Sequence, residues 1–281
     1  MSHPIILKIL EDIANDLHGK GVEFPTLLDI AFKIRTVLKA QNPDMNQLAR
    51  LVGAEPLIST QVVRLANSVA MNPSGRKIVD VKNAIVRVGI RAVSSVAFSI
   101  AMKQMAMAKG LGAFKTLSRH LWEHSAYTAA FARTLVKRYC RGKINDDEAM
   151  FTGLIHDIGA FYLLYRASLV PELAQNPAEV QGLMVEWHDS IGHALLSSMG
   201  LADPILEAVK THEQPRTFET IENLADLLST ANQLANIIAP WHAQPLAEKG
   251  DFLDRMFDAD TLQCLLGEAE IEIEALKDLI Q

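Results

Sequence analysis

The chain has 281 residues, 49% of them hydrophobic, and a formal net charge of -6. That length and apolar content can bury a core for one or two domains, and the acidic balance argues against general affinity for nucleic acid. No apolar run reaches the length of a membrane span, and Cys140 and Cys264 form no CxxC pair, which points to a reducing compartment without a disulfide framework.

The start, Met1-Ser2-His3-Pro4, lacks the basic stretch and small-residue cleavage site of a signal peptide, so a cytoplasmic location is expected. Leu27, Ile30, Ile34, Val37 and Leu38 recur at helical spacing after Pro25, a residue suited to a helix start. Asp44 is placed to cap a short helix carrying Leu48, Leu51 and Val52, which Gly53 ends. Pro56 opens a helix to Asn67. After the turn at Asn72-Pro73-Ser74-Gly75, Val81, Ile85 and Val88 predict another helix, ending at Gly89. A small-residue helix over Val93–Met107 follows, with Met102, Met105 and Met107 as flexible packing groups.

Lys109-Gly110-Leu111-Gly112 is the best linker candidate, so two lobes are expected, over residues 1–112 and 113–281. The second lobe opens with an amphipathic helix from about Thr116 to Tyr139. The turn at 142–147 caps a helix ending in His156-Asp157. Further helices are expected around Val180–Met199, Pro204–Thr211 and Ile221–Ile238. Asp260 can cap an acidic final helix with Leu262, Leu265, Leu266, Ala269, Ile273, Leu276 and Ile280 on one face. Nothing alternates between hairpin turns, so the fold class is all-α.

Charge is uneven. From Asp44 to Arg91 seven Lys/Arg stand against three acids, and from Glu213 onward fourteen acids outnumber four bases. The two regions can pair within the molecule or present different surfaces, and ordinary solvated helix faces account for the same counts.

The histidines carry the chemistry. His124 sits mid-helix in Leu121-Trp122-Glu123-His124-Ser125, and His156-Asp157 ends an apolar helix before Gly159. His188 and His212 come from two further helices. Imidazoles and a carboxylate from separate helices suit a metal site inside a bundle, although each histidine alone reads as an ordinary core or surface residue. His120 and His124 share a spacing of one turn, but no Glu stands at 121, so this is not the zinc-protease motif. Cys140 lies near Arg138 and Arg141, which would lower a thiol pKa; a solvent-facing bystander is the simpler reading.

These motifs, taken in order, resemble the HDOD family, the HD-related output domains of bacterial signalling proteins. The resemblance runs from about Phe24 to Ile238. It rests on Glu55-Pro56-Leu57, Arg64-Leu65-Ala66-Asn67-Ser68 and Ala84-Ile85-Val86-Arg87-Val88-Gly89 in the first half. In the second half it rests on Trp122-Glu123-His124-Ser125, Gly153-Leu154-Ile155-His156-Asp157-Ile158-Gly159, His188 ahead of Gly192, His212, and Ala231-Asn232-Gln233-Leu234-Ala235. It implies that the second lobe is a degenerate HD-phosphohydrolase-like bundle. In catalytic HD proteins a histidine, the His-Asp doublet and a later aspartate hold the metal, and binuclear relatives that cleave cyclic di-GMP add histidines. By that resemblance His124, His156 and Asp157 match the first set and His188 and His212 match added ligands.

Three positions depart from the pattern. Asn232 stands where the closing aspartate is expected, with Asp226 on the same helix as a rival alignment; Thr211 replaces the first of two adjacent histidines; Ala160 replaces a lysine. An amide in place of a carboxylate removes a negative charge from the ligand shell and weakens cation binding.

The expected function is therefore a stand-alone bacterial regulatory protein that acts through contacts with an unidentified protein partner and is not catalytic. A residual divalent metal (Fe, Mn, Zn or Ni) is an open alternative. So is a metal-dependent phosphohydrolase acting on a nucleotide or cyclic dinucleotide, with His156 and Asp157 as its catalytic centre. A third reading is DNA binding through residues 44–68, where Ala49, Gly53 and Val62 have helix-turn-helix spacing. Against it, Ser59 takes an anchor position and Arg64 is the only base on the reading helix, so nucleic acid and membrane are not expected partners.

Overall fold

Helix boundaries follow from local chemistry. In the computed structural model, which describes residues 3–18, 28–40, 42–73, 75–140, 142–214, 219–242, 253 and 255–280, no strand occurs among the described residues. Asp44 accepts hydrogen bonds from the amides of Asn46 (2.8 Å) and Gln47 (3.1 Å) and so starts α3, Met45–Gly53. Pro56 occupies the first turn of α4 (Pro56–Ala66), and Asp80 caps α5 (Val81–Val88) by accepting from Asn83 N. Ahead of these lies α2 (Leu28–Lys39), and after them α6 (Ile90–Ala106). Pro25 and Leu27 lie outside the described residues.

The chain packs as two compact units: Phe24–Gln104 with Glu274–Gln281, and Met1–Glu23 with Met105–Ile273. In the first, Ile34, Leu48, Val52, Ile58, Val62 and Ile85 are fully buried, and Phe32 meets Phe98 edge-to-face at 4.8 Å. The Asn67 side chain fixes the loop after α4: its Nδ2 donates to the carbonyls of Val63 and Ile78, and its Oδ1 accepts from Ile78 N. Leu48, Val52 and Val62 are thus core residues, while Arg64 is exposed.

The second unit begins with α1 (His3–His18), a helix that the sequence reading did not assign. Ile9 and Ile13 are buried, and Arg166 pairs with Asp16 and, at 3.6 Å, with Asp12. Residues Lys109–Phe114 form a 3-10 turn with Leu111 and Phe114 buried. The bundle comprises α7 (Lys115–Tyr139), α8 (Asp146–Ile155), α9 (Ile158–Ser168), α10 (Pro177–Ser198), α11 (Asp203–Thr211) and α12 (Leu224–Ile238). Asn145 caps α8 and Asn223 caps α12.

Two glycines let the bundle close. A Cβ on Gly153 would stand 2.6 Å from the Cα of Ala129, and one on Gly159 would run into the carbonyl oxygen of His188. Backbone therefore touches backbone between α7 and α8 and between α9 and α10, which brings the ends of those helices to one point.

The final helix, α13 (Ala259–Ile280), corrects one expectation, its cap. Asp258, not Asp260, caps it by accepting from Thr261 N. Its acids Glu268 and Glu272 pair with Arg138 and with Arg133 and Lys137 of α7, so this part of its charge is spent within the unit. Leu265, Ala269 and Ile273 face inward; the side chains of Leu276 and Ile280 lie outside the described residues. Among the described residues no single helix is long and apolar enough to cross a membrane.

Candidate metal centre

The break between α8 and α9 is two residues long, His156 and Asp157. Asp157 occupies the N-cap position of α9 yet its side chain makes no capping hydrogen bond. A carboxylate there ordinarily accepts from the first amides of the helix. Here it turns into the bundle, where its exposure is 0%, and neither oxygen has a hydrogen-bond donor among the described residues.

Four imidazoles surround it. His156 Nε2 lies 3.3 Å and His124 Nε2 3.8 Å from Oδ2; His188 Nε2 and His212 Nε2 each lie 3.5 Å from Oδ1. His124 (α7) and His156 are 0% exposed, and His188 (α10) and His212, at the end of α11, are 2% exposed. Ligand-type atoms of His124, His156 and Asp157 lie within 4.8 Å of one another, and so do those of Asp157, His188 and His212. Asp157 is thus shared by two triads.

The orientation of each ring is set from behind. Nδ1 faces a backbone carbonyl in every case: Ala239 for His124 (3.1 Å), Gly153 for His156 (2.7 Å), Met184 for His188 (2.9 Å) and Val209 for His212 (2.6 Å). With Nδ1–H donating there, each Nε2 points inward, carrying a lone pair wherever the ring is neutral, the orientation of a metal-ligating histidine. Lone pairs then face one another, with His124 Nε2 3.3 Å from His156 Nε2 and His188 Nε2 3.2 Å from His212 Nε2.

Electrostatics favour the same form for three of the four rings. Burial pushes His156 down to about 3 and lowers His124 and His188, so all three are neutral imidazoles at neutral pH. Burial alone would lower His212 as well, but its approach to Asp157 and the charge of Glu213 lift it to about 9. Burial would raise Asp157, and the surrounding imidazoles, His156 first, hold it well below the usual carboxylate range. A buried carboxylate ringed by four inward-facing Nε2 atoms, three of them on neutral rings, is costly by itself and fits a divalent cation, whose usual ligands are these groups.

Asn232 (α12) is the residue that α12 presents to the cluster. Its Oδ1 lies 2.8 Å from His124 Nε2, and its Nδ2 donates to Glu213 Oε1 at 3.1 Å. Asp226 is elsewhere, accepting from the amide of Glu222. Thr211 bonds back to the carbonyl of Glu207, and Ala160 is buried in α9. His120 is exposed, away from His124.

Two neighbours escaped the sequence reading. Glu213 lies 3.8 Å from His212 Nε2 and 3.6 Å from the Nε2 of buried His242. Burial would raise the Glu213 carboxyl, but His242 and the charges of His212 and His188 bring it far below its ordinary value. The available signal was the second His-acid doublet, His212-Glu213. Cys140 is a correction: it is buried, and burial pushes its thiol up.

An all-α bundle that gathers a His-Asp doublet and further histidines around one carboxylate is a protein of the HD class. The chain matches the HDOD domain over residues 24–215 and belongs to that family. Solved structures share the fold. One from Shewanella amazonensis SB2B, provisionally described as a metal-dependent phosphohydrolase, is 22% identical, with a TM-score of 0.73 and 98% of both chains covered. An HDOD domain protein of unknown function from Geobacter sulfurreducens is 20% identical, with a TM-score of 0.63 and 98% of both chains covered. A protein from Marinobacter aquaeolei VT8, provisionally assigned to signal transduction, is 18% identical with a TM-score of 0.58, covering 100% of this chain and 66% of its own. No curated protein matches the chain.

Proposed function

We propose that this HDOD protein is a non-catalytic signalling module whose second lobe is built around a buried divalent metal, and that it acts through contacts with a protein partner. The observation that carries the reading is Asp157, a carboxylate at 0% exposure with no hydrogen-bond donor among the described residues, set between four imidazoles. His124, His156, Asp157, His188 and His212 would hold the metal, with Asn232 Oδ1 beside His124. A bound divalent cation supplies positive charge and engages the lone pairs that otherwise oppose one another.

The chain's own residues do the rest. The carbonyls behind each ring fix the tautomer. The doublet and the three other histidines come from different helices, so holding one ion fastens α7, the α8–α9 junction, α10 and α11 together. Hydrolysis needs an open coordination position reached by water and substrate, whereas these ligands are 0–2% exposed and an amide stands at 232.

The test is a panel of nucleotide and cyclic dinucleotide phosphoesters with Mn2+ or Fe2+. The expected result is no turnover above a His156→Ala control, together with metal-dependent thermal stabilisation. The second reading, a phosphohydrolase, is favoured by one feature, the sharing of Asp157 between two triads as in two-metal sites. Turnover abolished by Asp157→Ala would establish it and overturn the first.

A further inference from the structure

Asn232 makes the centre short of charge. If each triad takes a divalent cation, a single carboxylate serves both, because the remaining ligands are neutral imidazoles and an amide. Glu213 is the nearby group that answers this deficit. It follows His212 directly, its Oε1 lies 3.8 Å from His212 Nε2, and it is three-quarters buried, which no carboxylate tolerates without compensation. Asn232 Nδ2 donates to that same oxygen at 3.1 Å, and His242 Nε2 approaches it at 3.6 Å.

The amide of Asn232 therefore has two distinct ends. One, Oδ1, faces the His124–His156 half; the other, Nδ2, holds a carboxylate beside the His188–His212 half. A carboxylate at 232 could not make the second contact: it has no proton to donate and would repel Glu213 at that distance. The two residue identities are coupled.

We infer that Glu213 is an outer carboxylate of this metal centre: it stands outside both triads, supplies a second negative charge beside His212, and is held there by Asn232 as its positioning residue. The inference rests on the metal reading above. His242, with Trp241 edge-on to its ring at 4.4 Å between centroids, backs Glu213 from the other side.

The test titrates Mn2+ into the chelator-stripped full chain and reads free Mn2+ by electron paramagnetic resonance. Glu213→Gln, which keeps the shape and removes the charge, should weaken Mn2+ binding about 10–100-fold. Glu213→Gln combined with Asn232→Asp restores a carboxylate at 232 without a repelling neighbour, and should regain much of the lost affinity. His156→Ala should bind none. Unchanged affinity in Glu213→Gln, with binding lost in His156→Ala, overturns this inference and leaves the metal reading standing. So does a double variant no stronger than Glu213→Gln. No Mn2+ uptake by the wild-type chain fails the metal reading and this inference together.

Discussion

The two units differ in the charge of the polar side chains that they bury. In the unit of α2–α6, the acids and amides at helix ends and in the loop after α4 are matched to backbone: Asp44 and Asp80 on amides, Asn67 on Val63 and Ile78. Among the described residues, Gln61 Oε1, Ser68 Oγ and Ser94 Oγ are buried there without a hydrogen-bond partner, but these are neutral groups and no buried carboxylate is among them. In the unit of α7–α12 a carboxylate and four imidazoles stand in the middle of the bundle, and neither oxygen of Asp157 has a hydrogen-bond donor among the described residues. Each unsatisfied buried polar group costs about 1–3 kcal/mol, more when charged, so the charged set around Asp157 is the costlier one and the one that a bound cation would relieve. The contrast separates residues that stabilise by themselves from residues whose stabilisation depends on a partner.

The sharpest way to break the contrast is Asp157→Ala. Wild-type protein at a hundredfold excess of metal over its Kd should gain about 5–10 °C in Tm, and the variant should gain nothing and retain no metal by elemental analysis. Next in size is Gly159→Ala, whose Cβ meets the His188 carbonyl. It should cost about 3 kcal/mol in urea denaturation with chelator present, and weaken metal binding by displacing α10.

A change in the other unit sharpens the comparison from its far side. Asn67→Ala removes three hydrogen bonds and should cost about 1–3 kcal/mol while leaving metal affinity unchanged. The smallest effect concerns Asp44, whose carboxyl the amides of Gln47 and Asn46 hold below its ordinary range. A depressed folded-state pKa stabilises above the unfolded pKa and loses that stabilisation as pH falls through the folded one. Asp44→Asn should therefore flatten the acid side of the Tm profile and leave the neutral side almost unmoved.

What could be read from sequence was whatever local chemistry decides. Asp44 before an apolar stripe announces its own helix, and a His-Asp doublet before a glycine announces a junction with both side chains trapped. The opening helix α1 was missed because its anchor, Arg166 with Asp12 and Asp16, joins residues far apart in the chain. Whether Asp226 or Asn232 meets His124 is a question of helix phase; they lie nearly two turns apart and face different ways, so only the packed bundle decides it. Glu213 looked like a surface acid because its meaning depends on the amide of Asn232 from another helix. Cys140 was misread for the same reason, since flanking arginines say nothing about the burial that raises its thiol.

The central claim is that Asp157 and its four histidines bind a divalent metal. Anomalous diffraction from crystals of the chain reconstituted in turn with Mn2+, Fe2+, Zn2+ and Ni2+ tests it most directly. The account predicts, for at least one of these, a peak between Asp157 and the Nε2 atoms of His124 and His156 or of His188 and His212. Crystals with no peak at either triad for any of the four metals would contradict it.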